Sequence, residues 1–575
     1  MTSPKFPEPP AAAFHSGGSA PTPGPTPLSQ IDEKLDRLAA RKDAWLEVGI
    51  PQRIEYMRRC MAGMREVSEK WVADGCRAKG IALDEPVAGE EWVAGIAPTL
   101  RNLRLFIEAL EQGGQPKPPS VRTRADGQVI AQVFPTNLQD RALFTGFSAE
   151  VWMEPGQAAT QGAIYRDKPK AGKVSLVLGA GNVSSIPPMD AIYKLIVEDE
   201  VVILKMNPVN EWSGPHLERA FKSLIDDGFL AVVYGGAEQG AYLAEHAKVD
   251  TLHVTGSDRT YDAIVWGTDP ADVARRKAAN EPKNSKPFTA ELGCVTPVLV
   301  VPGPWSDGDL DFQARQVAGM VAQNASFNCN AAKVLVLAKG WPQRAAFLAK
   351  VREHMAAARP RKAYYPGAKA RYQAFIDKYP QAEALGQKGD AIVPWTLIPN
   401  VTPTAGEYAL TSEAFCGVLA QVDLDATDAA DFLDKAVDFA NDGCWGTLSC
   451  TMLIHPKSER ELGPRFEDAL ARLRFGGIGV NAWSAVLYAL VVTTWGAFPG
   501  HPKTDIRSGA GVVHNSFMFD HPQKSIVKAP FRIAPTPVWF ADHKTLLEAG
   551  KRLAAFEGEP GWGKVISLAT AALRG

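Results

Sequence analysis

The stretch from Lys173 to Ser257 constrains the fold of this chain more than any other. Val174–Leu178 is an unbroken apolar, β-rich run. It is followed by Gly179-Ala180-Gly181-Asn182, a turn with Pro187 and Pro188, a helix predicted from about Met189 to Glu198, and a second apolar run, Val201–Lys205. A strand without polar alternation is one that a sheet buries on both faces. Strand, glycine-rich turn, helix, strand is a βαβ unit. Ala231–Tyr234 before Gly235-Gly236 and Thr251–Thr255 before Gly256-Ser257 repeat the theme. Alternation at this spacing predicts an α/β fold with a parallel, doubly wound sheet.

Around this block lie 575 residues, enough for several domain-sized units. Upstream, Ile31–Val48, Pro51–Gly75 and Leu100–Leu110 carry apolar residues at helical intervals, and 111–128 reads as a linker or surface loop. Strands are predicted at Val129–Phe134 and Ala149–Met153. Downstream, a second α/β pattern runs through Pro297–Val301, a helix from about Asp309 to Ala322, and Lys333–Ala338, and a helix at Lys544–Phe556 closes the chain. Residues 1–30 hold eight prolines and no apolar run, and are expected to be a disordered leader rather than a signal peptide. The segment between Gly267 and Glu291, with Arg275, Arg276, Lys277, Lys283 and Lys286, reads as a solvated loop, with a phosphate-binding patch as the other option.

Charge excludes some functions. Lys and Arg number 62 against 64 Asp and Glu, a net charge of −2, so no basic field argues for nucleic acid or an anionic membrane. The seven cysteines lack a CxxC pair, which predicts neither a disulfide framework nor a metal site and suits a reducing, cytoplasmic setting. Ala482–Phe498 is strongly apolar and uncharged, but its 17 residues sit at the short limit for a bilayer span. The flanking glycines and Pro499 favour a buried core segment or pocket wall.

Three residues could carry chemistry. Cys329 lies in a small, polar segment, Asn324-Ala-Ser-Phe-Asn-Cys329-Asn, between a predicted helix and a strand, where a thiolate can be stabilised and reached. Glu291, among apolar neighbours, is either a general base with a raised pKa or a solvated strand-end carboxylate. Glu413, before Ala414-Phe415-Cys416-Gly417, is equally ambiguous. The glycine-bounded strand ends admit a phosphate, yet GxGxxG is absent, so the usual dinucleotide fingerprint is not there.

The order of these short motifs is more specific than any one of them. Over about residues 30–535 the sequence resembles the aldehyde dehydrogenase superfamily. Gly179-Ala-Gly-Asn182 stands where the family has Pro-Trp-Asn, and Val201-Val-Ile-Leu-Lys205 is similar to the strand that follows. Val254-Thr-Gly-Ser257 resembles the FTGS turn, Glu291-Leu-Gly-Cys-Val-Thr-Pro297 the ELGGKSP segment, and Asn328-Cys329 the catalytic cysteine. Glu413-Ala-Phe-Cys-Gly417 is similar to EIFGP, and Val480-Asn481 to the late VN pair.

The resemblance implies a Rossmann-type cofactor domain over 31–290 and an α/β catalytic domain over 291–480. It also implies a small β oligomerisation arm from 140–165 and the C-terminal segment 481–575, which forms a tunnel wall and an extra tail. It implies NAD(P)-dependent oxidation of an aldehyde to a carboxylic acid. Cys329 would be the nucleophile, forming a thiohemiacetal and then a thioester. Its backbone N–H and the Asn182 amide would form the oxyanion hole, and Glu291 would activate the hydrolytic water. Lys205, Gly256, Ser257, Glu413 and Phe415 would bind NAD or NADP. Pro208 replaces a family glutamate that disfavours a 2′-phosphate, so NADP is permitted. Trp483, Tyr488, Trp495 and Phe498 would line a tunnel for an aromatic or apolar aldehyde. Open strand edges on the arm imply a homodimer or homotetramer. Three alternatives stand beside this reading: a CoA-acylating enzyme or acyl-thioester reductase, a non-catalytic member of the fold, and a membrane-anchored enzyme.

Overall fold

The computed structural model describes residues 22–575. Two large sheets organise them. The smaller has six strands in the order Gly509–Ala510, Phe288–Leu292, Thr251–Gly256, Val174–Leu178, Val201–Lys205 and Leu230–Val233. All pair in parallel except Gly509–Ala510. The chain winds from Val174–Leu178 outward to one side, then returns to build the other. The direction therefore reverses between Val174–Leu178 and Thr251–Gly256, where a doubly wound sheet opens a crevice beyond its strand ends. Gly179, Gly256 and Ser257 sit at that edge.

The larger sheet has eleven strands, and its centre is parallel: Gly477–Val480, Ser449–Leu453, Pro297–Val300, Val334–Ala338, Val418–Leu424 and Thr396–Val401. The arm joins this sheet within the same chain. Pro522–Lys528 pairs in parallel with Gly477–Val480 and antiparallel with Ser148–Met153, which pairs with Val129–Phe134. The outer edge of the sheet on this side is the short strand Ser120–Thr123.

Several boundaries differ from expectation. Thr26 is buried and its N–H donates to Tyr234 O, and a helix starts at Leu28, so the last residues of the expected leader are anchored, while 1–21 lie outside the described residues. Within the expected linker, Ser120–Thr123 forms an exposed edge strand paired with Val129–Phe134. The basic insert is largely a helix, Pro270–Ala279, capped by Asp269. Its cations have local partners: Arg275 and Arg276 pair with Asp272, Lys277 with Asp262 and Lys283 with Glu245, while Lys286 donates to the carbonyls of Ala244 and His246. A last helix, Trp562–Ala572, follows Leu546–Gly558.

Leu546–Gly558 packs on helix Ala97–Glu111, where Glu557 bonds Arg101 at 2.9 Å and Arg104 at 2.6 Å, all three buried. Ala482–Phe498 contains the helix Ala485–Leu490 and the strand Thr494–Gly496 inside the core. Among the described residues no helix is long and apolar enough to cross a membrane.

Candidate active site

Cys329 sits in the turn between helix Asp307–Ala322 and strand Val334–Ala338. Among the cysteines it alone is not fully buried. The segment that delivers it is strained: Asn324, Ala325 and Ser326 have φ of 52°, 56° and 69°, a left-handed run of three residues with side chains. Each such residue costs on the order of 1 kcal/mol and persists where the surroundings over-determine it.

Those surroundings are polar and buried. Asn324 Nδ2 donates to Asn182 O at 3.1 Å and Phe327 O at 3.2 Å. Lys79 Nζ donates to Asn324 Oδ1 at 3.0 Å and pairs with Glu91 at 2.6 Å, and Tyr364 OH bonds Asn324 Oδ1 at 2.9 Å. The Asn182 amide donates to Phe327 O at 2.9 Å, two residues before the cysteine. An amide carries two N–H bonds, so one remains free for a ligand.

Glu291 comes from the other sheet. It lies on strand Phe288–Leu292, where it is paired in register with Thr255, and is 4% exposed. Cys329 and Trp495 lie close enough to its carboxyl to draw its pKa down against burial, and Oε1 has no hydrogen-bond partner among the described residues. Burial, with lesser repulsion from Asp190 and Glu413, pushes its pKa up to about 8. Burial also raises the Cys329 thiol well above its ordinary range, helped by Glu291 and Glu413 and opposed by Lys333. Burial thus shifts both groups toward their neutral, protonated forms, the thiol beside a carboxyl.

Lys205 ends strand Val201–Lys205 at the open edge of the smaller sheet, and burial lowers its pKa to about 8, with Glu211 the charge facing it. Ser257 caps helix Asp258–Val265, its Oγ accepting the Thr260 N–H at 3.2 Å. A Cβ added at Gly256 would meet only Val254 Cγ2, at 3.5 Å, so the space above that backbone is open. A buried cation, a capped helix start and an open glycine at the switch point fit a dinucleotide.

Glu413 is not free: Oε1 pairs with Lys333 at 3.2 Å and accepts the Cys294 N–H at 3.3 Å. Its carboxylate also lies against Gly293, where a Cβ would stand 2.1 Å from Oε2. Phe415, at φ 42°, packs edge-on to Tyr365 at 5.0 Å and near Phe327 at 5.9 Å. Of the four aromatics expected near the site, Trp483 donates to Asn330 O at 2.8 Å, and Tyr488 bonds Ser185 Oγ at 2.7 Å and meets Trp495 edge-on. Phe498 instead lies under Lys524.

Known proteins share sequence pattern and fold with this chain. Residues 148–370 match the aldehyde dehydrogenase family. Over that stretch the chain is similar to this family, and its fold is that of solved aldehyde dehydrogenases. Among solved structures it is similar to the gamma-glutamyl-gamma-aminobutyraldehyde dehydrogenase of Burkholderia cenocepacia, with TM-score 0.60, 19% identity, and coverage of 87% of this chain and 89% of that one. The NADP-dependent glyceraldehyde-3-phosphate dehydrogenase of Bacillus halodurans, complexed with NADP, gives 0.59, 16%, 87% and 91%. A Mycobacterium tuberculosis aldehyde dehydrogenase complexed with NAD+ gives 0.57, 15%, 89% and 92%. At these identities the likeness speaks for the shared fold. No curated protein sequence matches the chain.

Sequence reasoning missed Lys333, Lys79, Asn324, Thr296 and Tyr364, which shape the loop that carries Cys329. A lone lysine at the mouth of a buried strand, four residues after Cys329, was the one available hint.

Proposed function

We propose that the protein oxidises an aldehyde to a carboxylic acid with NAD or NADP, through a covalent intermediate on Cys329. The observation that carries this reading is the closeness of the buried Glu291 carboxyl to the Cys329 thiol, each shifting the other's protonation, with the Asn182 amide anchored on the same loop. Cys329 Sγ adds to the aldehyde carbon while Glu291 takes the thiol proton. The free N–H of Asn182 and the Cys329 backbone N–H stabilise the alkoxide that develops. When bound, the nicotinamide supplies the two-electron oxidation that turns this thiohemiacetal into a thioester. Lys205, Gly256 and Ser257 would hold the dinucleotide, and Phe415 would bound its nicotinamide end. Glu413 would reach a ribose only by sharing Lys333. Glu291, after passing that proton to solvent, then activates the water that hydrolyses the thioester.

A hydrolytic rather than CoA-acylating outcome is supported by the position of Glu291 beside the sulfur. Tyr488 and Trp495 near Glu291 support an apolar or aromatic aldehyde. Purified protein with NAD or NADP, screened against aliphatic and aromatic aldehydes at the reduced-nicotinamide absorbance band, tests the reading. Turnover that vanishes in Cys329→Ala with nucleotide binding intact supports it. Absence of reduction with every pair defeats it.

A further inference from the structure

Lys333 folds back from the start of strand Val334–Ala338 into the loop that carries Cys329, and it is 3% exposed. Its ammonium donates to Asn328 O at 3.1 Å, Cys329 O at 2.9 Å and Ala331 O at 3.2 Å, and pairs with Glu413 at 3.2 Å. An ammonium has three donors, so four acceptors around it leave none idle and hold it centrally. Thr296 Oγ1 adds a second bond to Cys329 O, at 2.9 Å.

In a trans peptide the C=O and the following N–H lie in one plane and point opposite ways. A bond to Asn328 O therefore fixes where the Cys329 N–H points: away from Lys333. Among the described residues that N–H donates to no acceptor of the chain. The loop needs such an anchor, because the left-handed run Asn324–Ser326 just upstream is held on its other side by Asn182, Lys79 and Tyr364.

We infer that Lys333 is the positioning residue of the nucleophile loop: by gripping the carbonyls of Asn328 and Cys329 it aims the Cys329 N–H at the site where an alkoxide forms. The inference rests on the reading of Cys329 as nucleophile. Lys333 also opposes the effect of Glu291 and Glu413 on the sulfur, so it favours the thiolate as well as the donor geometry.

The test uses full-length Lys333→Met and Lys333→Arg, with thermal unfolding to show that each is folded. In Lys333→Met, kcat should fall about 10²-fold, the loss typical of one oxyanion donor, while KM for aldehyde and nucleotide stays within about threefold. Lys333→Arg should recover part of kcat. Without substrate, alkylation of Cys329 by iodoacetamide, read by mass spectrometry, should slow at least about fivefold in Lys333→Met. A folded Lys333→Met with wild-type kcat, or with its loss wholly in KM, overturns the inference, as does an Arg variant no better than Met. If the wild type oxidises no aldehyde, the functional reading fails by itself, and equal alkylation rates in wild type and Lys333→Met then sink the role of Lys333 separately.

Discussion

Glu291, on the six-stranded sheet, faces Cys329, on the loop that feeds the eleven-stranded one, closely enough for each to shift the other's protonation. The contact places a base whose pKa burial raises to about 8 against the sulfur that it would serve. Neither sheet holds the pair alone; the site exists where the two meet.

Glu291→Gln should therefore abolish steady-state turnover by about 10²–10³-fold. A burst of one reduced nicotinamide per active site should remain, slowed, because the first half-reaction ends at the thioester. In the wild type the hydrolytic step should climb as pH rises toward about 8, where the carboxyl becomes the base, and this limb should be missing in the variant. Stability follows the opposite sign. A raised folded pKa means that the fold favours the protonated form, so the wild type loses stability as pH rises from the model-peptide value of 4.5 to about 8. Denaturation above pH 8 should find the glutamine variant more stable, by roughly 2–4 kcal/mol.

Asn182→Ala removes a donor to the developing alkoxide and the bond to Phe327 O. Stopped-flow measurement of the first nicotinamide reduction should show it slowed about 10²-fold, with aldehyde KM little changed. A loss confined to KM would remove Asn182 from the transition state.

Lys205→Ala should raise the nucleotide KM about tenfold, the effect of one lost charged hydrogen bond, and move kcat less. With a pKa lowered to about 8, the side chain is cationic below that pH. Titration of nucleotide binding should show affinity falling as pH rises through about 8 in the wild type, and a flat profile in the variant.

Helix Leu546–Gly558 has a structural role. Glu557→Ala leaves the buried Arg101 and Arg104 without their shared carboxylate, although Asp140 stays 3.7 Å from Arg101. Removing one member of a buried ionic cluster costs about 3 kcal/mol or more, which urea denaturation should register as a lower midpoint with the slope unchanged.

Legibility in the sequence tracked how local the cause was. Val129–Phe134, Val174–Leu178 and Val201–Lys205 match their predicted limits residue for residue, because an apolar run bounded by turn residues identifies a buried strand by itself. Ser120–Thr123 has all four residues exposed, so no apolar period betrays it; it is a strand because Val129–Phe134 offers an edge. Helix Pro270–Ala279 was hidden behind its charges, although Asp269 and Pro270 form a standard cap and first turn. Cys329, Glu291 and Asn182 could be named from short motifs in order, and the three converge on one loop. The competing claims on Glu413 and the grip of Lys333 had no such signal.

From sequence alone came the βαβ succession, the parallel sheet and the chemical groups at stake, since periodicity and turn residues act over a few positions. The tertiary structure decided which of those groups meet. Glu291 reaches Cys329 through the apposition of two sheets, Lys333 reaches three carbonyls by folding back, and Pro522–Lys528 closes the arm onto its own sheet at Gly477–Val480. Contacts between distant segments, and the burial that shifts their protonation, arise only when the whole core has closed around them.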